Sequence, residues 1–123
     1  MDIKKPLSPH LQIYRLPLTA ILSISHRLSG VILGFVYISF VFILLVLAFN
    51  VEMFNLLLVY LNNIIGKIIV VLASLTIFYH MTNGVRHMVW DLGYGLEKPK
   101  LSSYMVLMIA ILLTLVFNIL IYI

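Results

Sequence analysis

Between residues 78 and 91 the sequence reads FYHMTNGVRHMVWD. At 100° per residue, a helix over this stretch places His80, Gly84, His87 and Asp91 within an arc of about 60°. His80 lies about 16 Å along the axis from Asp91. With Trp90 and Asp91 at a membrane interface, His80 falls near mid-membrane. Neutral imidazole is a strong axial ligand for haem iron, and an ionisable side chain at that depth is costly without a partner. Gly84, one turn away on the same face, would let a flat macrocycle approach the backbone. His87, about 10 Å nearer the surface, lies in the direction of a porphyrin's propionates. The bland alternative for His80 is a packing histidine bonded to a serine or a backbone carbonyl. His87 and Asp91 read equally as a local helix-end pair.

A second face starts at SISHRLSG, residues 23 to 30. Ser23, Arg27, Gly30 and Gly34 fall within a similar arc, with His26 at its flank. Gly30 and Gly34 form a GxxxG, which permits close helix contact in lipid. Arg27 can neutralise a carboxylate or donate to a carbonyl while staying protonated, and Ser23 adds a hydroxyl one turn earlier. The pair therefore faces something anionic or carbonyl-bearing, or else Arg27 and His26 are snorkelling residues that set topology. His10 has no periodic companion and reads as a surface residue.

The elements that must position these groups are membrane spans. Of 123 residues, 63 % are hydrophobic and 10 % charged, and the mean hydropathy is +1.17. Such a chain cannot supply a polar surface, whereas lipid tolerates it. The length allows one domain with about three spans of roughly 20 residues each. Absence of cysteine excludes disulfides, thiolate metal sites and cysteine nucleophiles. The net charge of +4 does not point to nucleic acid, because the basic residues flank spans and form no patch.

The fold class is accordingly an all-α membrane protein, one membrane-anchor domain over residues 1–123 with three transmembrane helices in a bundle. An interfacial, proline-marked lead is expected over residues 1–18, with Tyr14 at the head groups. Helix one is placed at 20–49 with Thr19 as its N-cap, helix two at 62–92, and helix three at 102–122. NVEMFN serves as a polar linker and YGLEKPK as a loop. Asn118 is the polar exception in helix three. Lys4, Lys5, Arg15 and Arg27 precede or open helix one, and Arg86, Lys98 and Lys100 surround the second loop, whereas only Lys67 lies near the first linker. The positive-inside rule then puts the N-terminus on the cytoplasmic or matrix side and the C-terminus opposite. No cleavable signal or arginine-rich transit peptide is recognised at the N-terminus, so a bacterial inner membrane is expected. The alternative is a mitochondrial inner membrane with an organelle-encoded copy.

The segments PLSPHLQIYRLPLTAILSISHRLSG and YHMTNGVRHMVWDLGYG together resemble the cytochrome b large anchor subunit of succinate dehydrogenase, respiratory complex II. The resemblance covers nearly the whole chain. It implies that His80 is the axial ligand of a haem b shared with the small anchor subunit, which supplies the second histidine. It implies that Ser23 and Arg27 serve the ubiquinone site beside the iron–sulfur subunit. His26, Arg27 and His87 are matched to the haem-propionate side, and Asp91 to a position near the quinone. Ser25 stands where the family pattern has leucine. The activity implied is electron transfer from succinate, oxidised in a flavoprotein partner, to ubiquinone. Negative charge developing on quinone oxygens would be met by a fixed cation and a hydroxyl. This chain contributes no flavin site and no cluster ligand, and is not catalytic alone. Two rivals remain at this level: a self-contained b-type cytochrome ligating haem through His26 and His80, and a haemless anchor or assembly subunit.

Overall fold

The computed structural model describes residues 15–123. Four helices follow in order: α1 Leu18–Phe49, α2 Val51–Asn62, α3 Ile64–Asp91 and α4 Pro99–Tyr122. Three of them, α1, α3 and α4, are long and apolar enough to cross a membrane. In hydrocarbon every backbone N–H and C=O must be satisfied within the segment, so runs of this composition become helices whatever their β-branched content.

The breaks have local causes. At Asn50 the backbone is extended (φ −151°) and α1 ends. The Asn50 side chain then accepts from the backbone N–H of Met53 at 2.9 Å, capping α2. Asn63 repeats the device for α3, accepting from Ile64 N–H at 2.6 Å. In the first turn of α3, an added Cβ at Gly66 would fall on the backbone of Tyr60 and Leu61. Only glycine allows so tight a corner between α2 and α3. At the other end of α3, Gly93 N–H bonds to Trp90 O and Tyr94 N–H to Val89 O. Gly93 is left-handed (φ +84°), which completes a Schellman stop. Pro99 opens α4 at a position whose N–H would be unpaired in any case.

Helix α3 packs against all three other helices. Among the described residues the buried set is small and polar: Ser29, Ser74, Thr82, Asn83, Arg86, Ser103 and Thr114 beside Leu22, Val46, Gly66, Val106 and Ala110. Large apolar side chains such as Phe35, Ile38 and Leu120 are exposed. That inversion suits helices that associate in lipid by close packing and polar contacts.

Two expectations change. The stretch read as a polar linker is helix α2, because Asn50 caps it and Glu52 sits in its first turn, where the helix dipole favours negative charge. Thr19 is not the N-cap of α1: the helix starts at Leu18, and the Pro17 carbonyl accepts from the N–H groups of Ala20 and Ile21. Residues 1–14 of the expected lead, including Lys4, Lys5, His10 and Tyr14, lie outside the described residues.

Candidate functional site

The site is built where α1 crosses α3, and a single backbone carbonyl ties the two helices together. Leu22 O accepts from Asn83 Nδ2 at 3.1 Å, and the hydroxyls of Tyr79 and Ser25 lie 3.1 Å and 3.2 Å from it. Those two hydroxyls are also hydrogen-bonded to each other, so one gives its proton to the other and the pair supplies one proton to Leu22 O. Asn83 is fully buried, at 0 % exposed. These bonds set the rotation of α3 about its axis, and with it the direction of His80, one residue after Tyr79.

His80 meets α1 on three sides. Its Nδ1 lies 3.0 Å from Ser29 Oγ, and Ser29 donates to the His26 carbonyl at 2.7 Å. The His26 ring stacks on the His80 ring, with centroids 4.1 Å apart and planes inclined by 20°. A Cβ at residue 30 would sit 3.1 Å from His80 Cε1, so Gly30 is where α1 lets the imidazole in. Nε2 of His80 makes no hydrogen bond among the described residues and is not among the sealed, unpartnered atoms.

The row of rings continues to His87, 5.4 Å from His26 and 5.9 Å edge-on from Trp90. Gly84 faces this row, since an added Cβ would lie 3.7 Å from His26 Cε1. Among the described residues no three histidine or acidic side chains converge to hold a bare metal ion.

Residues 1–117 match the family described as succinate dehydrogenase/fumarate reductase transmembrane subunit. The chain belongs to this family. It is 40 % identical over 123 aligned residues to the succinate dehydrogenase cytochrome b560 subunit of Reclinomonas americana, covering 94 % of this chain and 85 % of that one. To the cytochrome b556 subunit of Rickettsia felis it is 39 % identical over 114 residues, covering 91 % and 89 %. To the b560 subunit of Marchantia polymorpha it is 41 % identical over 115 residues, covering 89 % and 83 %. This chain is thus a membrane-anchor subunit of the succinate dehydrogenase type, consistent with its three apolar helices.

Within this subunit, the residues singled out in the sequence divide between two sides. His26, Gly30, His80, Gly84 and His87 come together at the α1–α3 crossing. Arg27, Gly34 and Asp91 are exposed, and Ser23 is half-buried. Gly34 has nothing within 4 Å of an added Cβ. The GxxxG therefore splits, with Gly30 against His80 and Gly34 open to whatever lies outside the chain.

Four residues of the crossing carried no obvious sequence signal: Ser25, Ser29, Tyr79 and Asn83. Ser29 sits three residues after His26, the spacing at which a helical serine reaches back to a carbonyl. Arg86, read as a topology charge, is 5 % exposed. Its Nη1 donates to Ser103 Oγ at 3.1 Å, and its guanidinium lies 4.4 Å from the Trp90 ring centroid.

Proposed function

We propose that this subunit holds one side of a haem b at His80 and forms one edge of a ubiquinone-reduction site at Ser23 and Arg27. The observation that carries the reading is the posture of His80: ring wedged by Gly30 and Ser29, one nitrogen engaged, the other unbonded. That is what an axial ligand needs, since the nitrogen turned away from the metal is the one normally held by a hydrogen bond. The relatives' names describe cytochromes b, which agrees with an imidazole of this kind deep in a span.

The donor set fits one ligand from this chain and not two. Axial imidazoles lie on opposite faces of a macrocycle, whereas His26 and His80 stack face to face at 4.1 Å. No porphyrin enters that gap. The stack therefore counts against a self-contained cytochrome and favours a second ligand from another subunit, the small anchor. Bound haem would supply a one-electron store between the iron–sulfur subunit and the membrane.

The rest belongs to the side chains. His26 covers His80, and with His87 it lines the route toward the inner rim, the side for propionates. Arg27, exposed near the start of α1, offers a cation to a propionate or to a quinone carbonyl. Ser23 lies one turn before it and can donate to the same oxygen. Asp91, exposed at the end of α3, is assigned to the quinone side. The flavoprotein, iron–sulfur and small anchor subunits are the partners of this reading. Arg15, Arg27, Lys98 and Lys100 at one end against Lys67 at the other orient that rim toward the cytoplasm or matrix. The membrane is assigned as a bacterial inner membrane or, for an organelle-encoded copy, the mitochondrial one.

Purified intact assembly carrying His80→Ala tests this. Loss of the six-coordinate low-spin b-type spectrum is expected. A spectrum equal to wild type refutes the haem assignment and returns the subunit to a haemless anchor.

A further inference from the structure

We infer that Ser29 is a positioning residue for the haem ligand: by accepting from Nδ1–H of His80 it reserves Nε2 for iron. The inference rests on the haem reading above and adds to it a tautomer and the group that selects it.

A hydroxyl has one proton and two acceptor lone pairs. Ser29 Oγ spends its proton on the His26 carbonyl, 2.7 Å away. The 3.0 Å contact with His80 Nδ1 must then run the other way, with Nδ1–H as donor. A neutral imidazole protonated at Nδ1 carries its lone pair on Nε2, the nitrogen with no partner on this chain. The opposite tautomer would need the hydroxyl to turn its proton from the His26 carbonyl at 2.7 Å to Nδ1 at 3.0 Å, giving up the shorter of the two contacts.

Ser29 is only 6 % exposed, so little water competes for the hydroxyl. The acceptor that fixes it, His26 O, lies on α1 itself. Helix α1 thus dictates the protonation pattern of a ligand borne by α3. The His26 ring, its centroid 4.1 Å from that of the imidazole, covers one side of it, and the backbone at Gly30, where even an added Cβ would come within 3.1 Å of Cε1, borders it beside the hydroxyl.

Donation from Nδ1–H raises the basicity of the ligating nitrogen. A more basic ligand favours ferric over ferrous iron and lowers the midpoint potential. Partners of this type are worth about 10–100-fold in metal affinity. A tenfold loss of preference for the ferric form corresponds to about 59 mV in a one-electron couple.

The test compares wild type, Ser29→Ala, Ser29→Thr and His80→Ala in the purified assembly with all its subunits. Three quantities are read: haem retained per complex, midpoint potential, and the low-spin ferric EPR spectrum. Ser29→Ala is expected to lower haem affinity about tenfold and to raise the potential, and Ser29→Thr, which keeps the hydroxyl, to restore both. Wild-type potential and spectrum in Ser29→Ala overturn the inference, as does a threonine variant that behaves like alanine. If Ser29→Ala does not assemble, Ser29→Cys replaces it, since sulfur is a weak acceptor. A raised potential there supports the role and a wild-type potential overturns it. His80→Ala separates the two levels. If it leaves the spectrum intact, the haem reading falls and Ser29 with it. If it abolishes the spectrum while Ser29→Ala changes nothing, only the role of Ser29 falls.

Discussion

Replacing Gly30 with alanine should leave the protein about as stable as before and still disturb the iron. The new methyl carbon would sit 3.1 Å from His80 Cε1 and 3.7 Å from Nδ1. Carbon atoms rest at about 3.5–4.0 Å, so the ring must withdraw by roughly 0.4–0.9 Å. Moving away from α1, it stretches the 3.0 Å contact with Ser29 beyond the ordinary range of about 2.7–3.2 Å. Losing that bond costs about 0.5–1.5 kcal/mol. Alanine in a helix interior returns about 0.5–1 kcal/mol relative to glycine. The two nearly cancel. Thermal unfolding of the purified assembly should therefore shift little, while the low-spin EPR spectrum and the haem potential change in the direction expected for loss of the Ser29 bond. An unaltered spectrum in an assembly of unaltered stability would refute the reasoning, because it would mean that the imidazole has slack on the Gly30 side.

Other outcomes follow from the same geometry. Arg27→Gln should lower quinone reduction by about 10–100-fold, the equivalent of a charge-assisted bond of about 1.5–3 kcal/mol, and leave succinate oxidation by an artificial acceptor intact; parallel loss of both activities counts against the quinone assignment. Gly34→Leu meets open space within this chain, so the helices should still pack, but co-purification of partner subunits should fail if their surface lies against Gly34. Tyr79→Phe removes a hydroxyl bonded to Ser25 and to the Leu22 carbonyl and should lower stability by about 0.6 kcal/mol, typical of interhelical polar contacts in lipid, as read by thermal melting. The sequence contains no cysteine, so single cysteines at Glu52 and Glu97 can be labelled without background. In sealed vesicles they should react with an impermeant maleimide from opposite sides, Glu52 from the side of the C-terminus.

The spans were legible because apolar runs of that length have one solution in lipid. Helix α2 was not, since its opening residues Asn50, Glu52 and Asn55 look like a linker unless Asn50 is read as a cap. Angular arithmetic grouped His80, Gly84, His87 and Asp91 on one helix; the first three meet at the α1–α3 crossing, whereas Asp91 is exposed at the end of α3. On α1 it grouped Ser23, Arg27, Gly30 and Gly34, with His26 at the flank, while the residues that meet His80 are His26, Ser29 and Gly30. Periodicity gives the relative directions of side chains within a helix but not which direction its neighbour occupies. That pairing is fixed by contacts such as those on Leu22 O, made by a tyrosine and an asparagine that carry no motif. Arg86 illustrates the same gap: its charge was visible, while its burial against Ser103 and Trp90 depends on where α4 returns.

The most direct measurement is a density map of the intact assembly at the face of α3 that bears His80. An iron porphyrin coordinated by Nε2, with Nδ1 still on Ser29 and the second axial ligand from another subunit, is the result expected. Acyl chains or a partner side chain against Nε2, with no macrocycle beside it, would contradict it.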